Sequence, residues 1–201
     1  MEVNVRMGVA GDLHRIVALH SQRISEGFLP SLGRPFLHRL YRRVIRSRDA
    51  FVIVADRDPR HGGPAFGFVA GAADLGALYR RFVLRDGIPA GLAAAPRLVH
   101  SVPRALETLH YPAESSELPP AEILAVAVDE LVTGEGVGAQ LMAGARTRFG
   151  MLGVTTAKVV TAAGNTAALR MYEAAGFVPH SRIEVHAGAE SEVLVWNSPS
   201  A

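Results

Sequence analysis

The chain has 201 residues, 49% hydrophobic and 20% charged, with 21 Lys and Arg against 19 Asp and Glu; that is enough apolar material for a sizeable core, and disorder is not expected over most of it. A formal net charge of +2 argues against a nucleic-acid binder, which needs clustered cations to neutralise phosphates. The absence of cysteine removes disulfides, thiolate catalysis and sulfur-ligated metals in one step.

No apolar run reaches the roughly 18 residues that a membrane span needs. Glu2, Asn4 and Arg6 stand where a secretory leader would be apolar, so a cytoplasmic protein with no membrane span is expected. Arginine supplies nearly all the basic charge, and Lys158 is the only lysine.

Val3, Val5 and Met7 alternate with polar neighbours, which predicts a half-buried opening strand. Asp12 is placed to cap the following helix, whose apolar positions Leu13, Ile16, Val17, Leu19 and Ile24 share helical spacing. A second helix is predicted over about 33–46, burying Phe36, Leu37, Leu40, Tyr41, Val44 and Ile45. Residues 51–55 and 65–73 read as a strand pair joined by a turn dense in Asp, Pro and Gly.

From Asp74 to Pro120 the pattern changes. Leu75, Leu78, Tyr79, Phe82 and Val83 share helical spacing, Gly87 and Pro89 are expected to break it, and residues 92–109 resume it. An inserted helical pair or triplet is therefore predicted, followed by a loop from Tyr111 to Pro120. The remainder alternates: a strand over 122–128, a helix over about 136–149, a strand over 156–161, a helix over about 166–174, and a hairpin pairing about 177–185 with 193–196 through a turn at 186–189. The expected class is α/β, an α+β mixed sheet with helices on its faces. It forms one domain over 1–201 with a helical insertion at about 74–120.

Two signatures carry the chemistry. The first, Thr133-Gly134-Glu135-Gly136-Val137-Gly138-Ala139, lies between a strand and a helix. Glycines there permit positive φ and clear side chains from the backbone, while the amides and dipole of the helix start favour an anion. The Gly-x-Gly-x-Gly spacing is not the dinucleotide fingerprint, since Lys158 and Thr161 stand where a ribose-binding acid would be, and no Gly-Lys-Ser/Thr follows for a mononucleotide loop. The second runs from Asn165, a helix N-cap candidate, to Gly176-Phe177. Tyr172 lies two turns on from Asn165 on nearly the same face, and Ala167 and Ala168 keep that face low enough for an extended ligand. The plain alternatives are a simple cap for Asn165 and a core aromatic for Tyr172.

With both signatures in place, the stretch from about Glu122 to Phe177 resembles the GNAT superfamily of N-acetyltransferases. The resemblance implies a mixed sheet whose central strands splay apart around acetyl-CoA as cosubstrate. Val126, Ala127 and Val128 would contact the acetyl and pantetheine portions through their backbone. Thr133, Gly134, Gly136, Val137, Gly138 and Ala139 would hold the pyrophosphate, and Asn165, with Ala168 beside it, would meet the pantetheine or order a water. Thr133 departs from the family's usual Arg or Gln.

Tyr172 is expected to be the general acid, on the argument that a phenol pKa near 10 matches that of the leaving thiol. Glu122 is the favoured general base, with Asp129, Glu130 and His110 as other candidates. His20, His38, His61, His100, His180 and His186 show no ligand spacing, so no metal is expected.

The expected activity is acetyl transfer to a primary amine of a small molecule or peptide. A non-catalytic acyl-CoA-sensing or interaction module and a nucleotide-dependent enzyme are the alternatives. The insertion is expected to wall the acceptor pocket, or else to serve as a packing or homodimer element.

Overall fold

A computed structural model describes residues 3–24, 32–57, 63–98, 118–186 and 189–199, and only the backbone at 87–98, 185, 186 and 189. Seven strands form one mixed sheet in the order β1-β2-β3-β4-β5-β7-β6. They are β1 (Asn4–Met7), β2 (Ala50–Asp56), β3 (Gly67–Ala72), β4 (Glu122–Val128), β5 (Thr156–Ala162), β6 (Val178–His186) and β7 (Ala189–Asn197). Neighbours β1 through β4 are antiparallel, β4 and β5 are parallel, and β5 pairs antiparallel with β7, which closes a hairpin with β6. The expected mixed sheet flanked by helices is therefore present.

Strand β2 is buried on both faces, which its unbroken run Phe51-Val52-Ile53-Val54 requires, and its alternate residues divide between two cores. Helices α1 (Leu13–Arg23), α2 (Arg34–Arg46) and α3 (Leu75–Leu98) cover one face. There Leu37, Leu40, Tyr41 and Val44 of α2 form the buried stripe that their three- and four-residue spacing predicts. Helices α4 (Val137–Met151) and α5 (Thr166–Ala174) cover the other, where Leu141, Met142, Ala145 and Phe149 pack with Phe51, Phe177 and Trp196. Among the described residues no helix is long and apolar enough to cross a membrane.

Four expectations change in detail. Helix α3 continues through Gly87, Pro89 and Pro96 to Leu98 as one helix, the expected break being absent; each proline costs one main-chain bond without ending the element. The rest of the predicted insertion helices, residues 99–109, and the start of the predicted loop, up to residue 117, lie outside the described residues. Asp12 stands at the N-cap position of α1 but makes no cap bond. Its carboxylate accepts instead from the Val9 amide at 2.8 Å and from Arg6 at 2.8 and 2.9 Å, charge-assisted bonds that outcompete a helix amide. Met7 is 46% exposed and not part of the core, because β1 is an edge strand. The terminal hairpin is longer than the apolar pattern suggested, with β7 starting at Ala189.

Gly71 lies where β3 changes register against β4. A Cβ there would stand 2.6 Å from Cζ of Phe51, a buried ring that packs edge-on against Phe149. Gly71→Ala is expected to destabilise the fold by about 1–3 kcal/mol through overpacking. Chemical denaturation checks this: a midpoint within error of the wild type would contradict it.

Candidate active site

Strands β4 and β5 pair only at Glu122↔Lys158 and Ile123↔Val159. Beyond Ile123 they have no registered pairing, so a cleft opens with Glu122 and Lys158 at its closed end. The β3–β4 register skips Leu124, a one-residue bulge that reverses the phase of the strand. Ile123 packs toward α4, whereas Ala125 and Ala127 pack toward α1 and α2.

After the bulge the main chain can be traced bond by bond. The Asp129 amide donates to the Phe66 carbonyl at 2.6 Å, which pairs these two residues. Antiparallel alternation then turns the N–H and C=O of Ala127 and Ala125 toward β3, and those of Val126 and Val128 toward the edge from which β5 has separated. Among the described residues Val126 and Val128 thus have donors and acceptors left open to the cleft, while Ala127 spends its own within the sheet.

The glycine loop comes directly after the strand. A 3-10 turn over Glu130–Val132 is capped by the Asp129 carboxylate on the Leu131 amide at 3.1 Å. Thr133 donates its amide to Glu130 and its hydroxyl to the Asp129 carbonyl at 3.1 Å, so its side chain holds the loop. Gly134 and Gly136 have φ of 87° and 78°, and a Cβ at either would meet nothing within 4 Å among the described residues. Gly136 is the N-cap of α4, with no side-chain cap. The first helical bond is Gln140 N–H to Gly136 C=O, which leaves the amides of Val137, Gly138 and Ala139 without helical acceptors. A Cβ on Gly138 would lie 2.8 Å from Sδ of Met171, so the glycine lets α5 approach the start of α4 closely.

On α5, Asn165 is exposed and accepts the Ala168 amide at 3.1 Å. The cap reading of Asn165 therefore holds, and its Oδ1 is engaged. Tyr172 is buried beside Phe177, their ring centroids 6.0 Å apart. Burial pushes its phenol above the usual pKa of 10. The expected match to a thiol near 10 is thus displaced: this phenol keeps its proton at any ordinary pH.

Glu122 holds the first position of β4, near enough to Tyr79 of α3 for its charge to act on that phenol. Burial pushes its carboxyl up to about 7, and the Lys158 ammonium pulls in the opposite direction. Lys158 Nζ lies 3.4 Å from Oε2, in ion-pair range but not aligned as a hydrogen bond, so among the described residues that buried oxygen has no hydrogen-bond donor. The other base candidates differ. Asp129 caps Leu131 and pairs with Arg15, and both contacts hold its carboxyl below the normal range. Glu130 is exposed beside Arg23. His110 lies outside the described residues. Sequence reading missed Lys158 as a partner of Glu122. A lone lysine between apolar Ala157 and Val159 was its only signal.

One further buried group titrates in the opposite sense. His20 receives or gives a 2.6 Å bond at Nδ1 with the Tyr41 hydroxyl, its Nε2 has no partner among the described residues, and burial pushes its pKa down to about 4. Between pH 6.5 and 4 the unfolded chain binds this proton and the folded chain does not, so stability falls on acidification. Glu122 does the reverse between pH 7 and 4.5, since the folded chain takes its proton first. Each shift is worth on the order of 3 kcal/mol. The two should nearly cancel in the wild type. In Glu122→Gln, stability measured by urea denaturation is expected to fall steadily from pH 6.5 to 4, and in His20→Gln to rise from pH 7 to 4.5. Parallel, flat profiles in both variants would contradict these assignments.

The model of the acetyltransferase (GNAT) family matches residues 24–177. No curated protein matches in sequence. Among solved structures the chain is similar to Ard1 from Thermoplasma volcanium, with a TM-score of 0.63 and 15% identity over 100% of both chains. It is also similar to the ribosomal-protein-S18-alanine N-acetyltransferase from Escherichia coli, with a TM-score of 0.62 and 12% identity over 100% of this chain and 97% of that one. A third is NAA60 from Arabidopsis thaliana in complex with acetyl-CoA, with a TM-score of 0.61 and 16% identity over 98% of each chain. At such identities these structures establish the shared fold, a mixed sheet flanked by helices, and the family match covers most of the chain. This protein is a member of the GNAT acetyltransferase family.

Proposed function

We propose that the protein transfers the acetyl group of acetyl-CoA to a primary amine on a small molecule or peptide. The observation that carries this reading is the continuity of two backbone surfaces that have no partner among the described residues. The open edge of β4 at Val126 and Val128 leads, through the 3-10 turn and the glycine loop, to the uncapped amides of Val137, Gly138 and Ala139. The first suits the amide-bearing pantetheine arm and the second a diphosphate. The open space above Gly134 and Gly136 suits the same ligand, since a side chain at either would project into it. Thr133 fits the role of a loop brace, leaving anion binding to the backbone.

Acetyl-CoA supplies an activated acetyl group as a thioester. The chain's own groups then have distinct tasks. The Val128 amide polarises the acetyl carbonyl. The Tyr172 phenol gives a proton to the departing thiolate, and Glu122 takes the proton of the attacking amine. Val128, whose amide meets that carbonyl, is six residues along the strand from Glu122, roughly 20 Å at the rise of a strand, so the proton reaches Glu122 through a chain of waters. The domain as a whole would span 1–201, with the insertion forming one wall of the acceptor site. An N-terminal peptide amine is one candidate acceptor, which agrees with the activity named for the similar Escherichia coli enzyme.

The absence of cysteine makes the test clean, because a thiol reagent then reports only released CoA. Acetyl-CoA with a panel of peptides, polyamines and amino sugars is expected to release thiol in step with acetylation of at least one amine. Binding of CoA with no acetylation of any amine would overturn the enzyme reading in favour of a sensing module.

A further inference from the structure

We propose that Lys158 is a positioning residue for Glu122, anchored to the return segment of the insertion at the closed end of the β4–β5 cleft and drawing the carboxylate there by its charge. The proposal rests on Glu122 being the base.

The neck of the insertion is held bond by bond. Three successive carbonyls, those of Pro119, Pro120 and Ala121, are each occupied. The Lys158 ammonium donates to Pro119 at 2.6 Å, the Leu75 amide to Pro120 at 3.0 Å, and the Lys158 amide to Ala121 at 2.9 Å. Lys158 thus contributes both its side chain and its backbone to the segment that delivers Glu122 into β4. Tyr79 approaches from the other arm of the insertion, on the first turns of α3, close enough for the Glu122 charge to add to the effect of burial in holding the phenol protonated.

A buried ammonium is costly unless its partners are in place. Lys158 is 3% exposed, and among the described residues its side-chain polar contacts are one carbonyl and one carboxylate. Arginine fills every other basic position in the chain. A guanidinium fork would grip a carboxylate bidentately and hold it ionised far below neutrality. The ammonium at 3.4 Å instead attracts Glu122 without locking it, which leaves the carboxylate free to exchange a proton near pH 7. A lysine with only a packing role has no reason to set that balance.

Because Lys158 is the sole lysine, selective 13Cε-lysine labelling yields one signal, and 13Cδ-glutamate labelling with Glu122→Gln assigns the base. Neither readout needs an acceptor. In the wild type the Glu122 carboxyl is expected to titrate near pH 7, with the lysine signal moving at the same midpoint. Lys158→Gln, which keeps a donor for Pro119 but no charge, should raise the Glu122 midpoint by about one pH unit or more, a roughly tenfold loss of ionised base in acid. Lys158→Arg should leave it at or below the wild-type value. Lys158→Met should resemble Lys158→Gln, and agreement between the two separates charge from packing.

With an acetylated amine in hand, kcat/KM should follow the same midpoints, while the KM for acetyl-CoA stays constant. An unmoved carboxyl midpoint in Lys158→Gln overturns the proposal. A wild-type pH profile in Glu122→Gln overturns the base assignment instead, whatever the carboxyl midpoint does in Lys158→Gln.

Discussion

Replacing Glu122 with glutamine is expected to lower kcat/KM by on the order of 10²–10⁴, the usual range for loss of a general base, and to abolish its rise with pH through about 7. The carboxyl stands at the closed end of the cleft, out of bulk solvent, where burial brings its pKa to about 7. It accepts a proton efficiently only once ionised, so the wild-type profile should climb through that value as pH increases. Glutamine keeps the size and polarity but cannot accept the proton. Affinity for CoA should be unchanged, because Glu122 precedes the free edge of β4. The check is kcat/KM against pH for wild type and variant. A preserved rise in the variant would assign that limb to the acceptor's own ammonium.

Tyr172→Phe should reduce kcat by on the order of 10² or more. It should leave the fold intact, since the ring continues to pack against Phe177 and only the hydroxyl is lost. Burial holds the phenol protonated beyond pH 10, so the wild-type profile should show no falling limb from this acid in the ordinary assay range. The raised pKa also means that transfer to the thiolate runs uphill from this phenol and depends on placement more than on matched acidity. Single-turnover measurements with bound acetyl-CoA separate this step from product release. A variant within a few-fold of wild type would remove Tyr172 from the chemistry and leave it as a core aromatic.

Local signals carried much of this in the sequence. Compact β-prone runs marked β2 and β4, three- and four-residue spacing marked α2 and α4, and Asn165 and Gly176 bounded α5 where the structure has it. Positive φ at Gly134 and Gly136 was legible because only glycine adopts that backbone at no steric cost.

What escaped depends on long-range register. The bulge at Leu124 decides that Val126 and Val128, and not Ala127, face the cleft, and it arises from pairing with β3. Lys158 meets Glu122 only because β4 and β5 run parallel in that register. Asp12 turned from its expected cap because Arg6, across a turn, offered a stronger donor. Helix α3 passes through Pro89 although a lone proline argues for a stop, which local propensity alone does not reveal. The stretch from 99 to 117 lies outside the described residues.

We propose that CoA binding depends above all on the backbone amides lining the cleft and the start of α4. An amide-resolved NMR titration with CoA tests this most directly. The predicted result is saturable shifts concentrated at Val126, Val128, Gly134, Gly136, Val137, Gly138 and Ala139, with Ala127 perturbed less than its neighbours. No shifts at millimolar CoA, or shifts centred on α2 and α3, would contradict it.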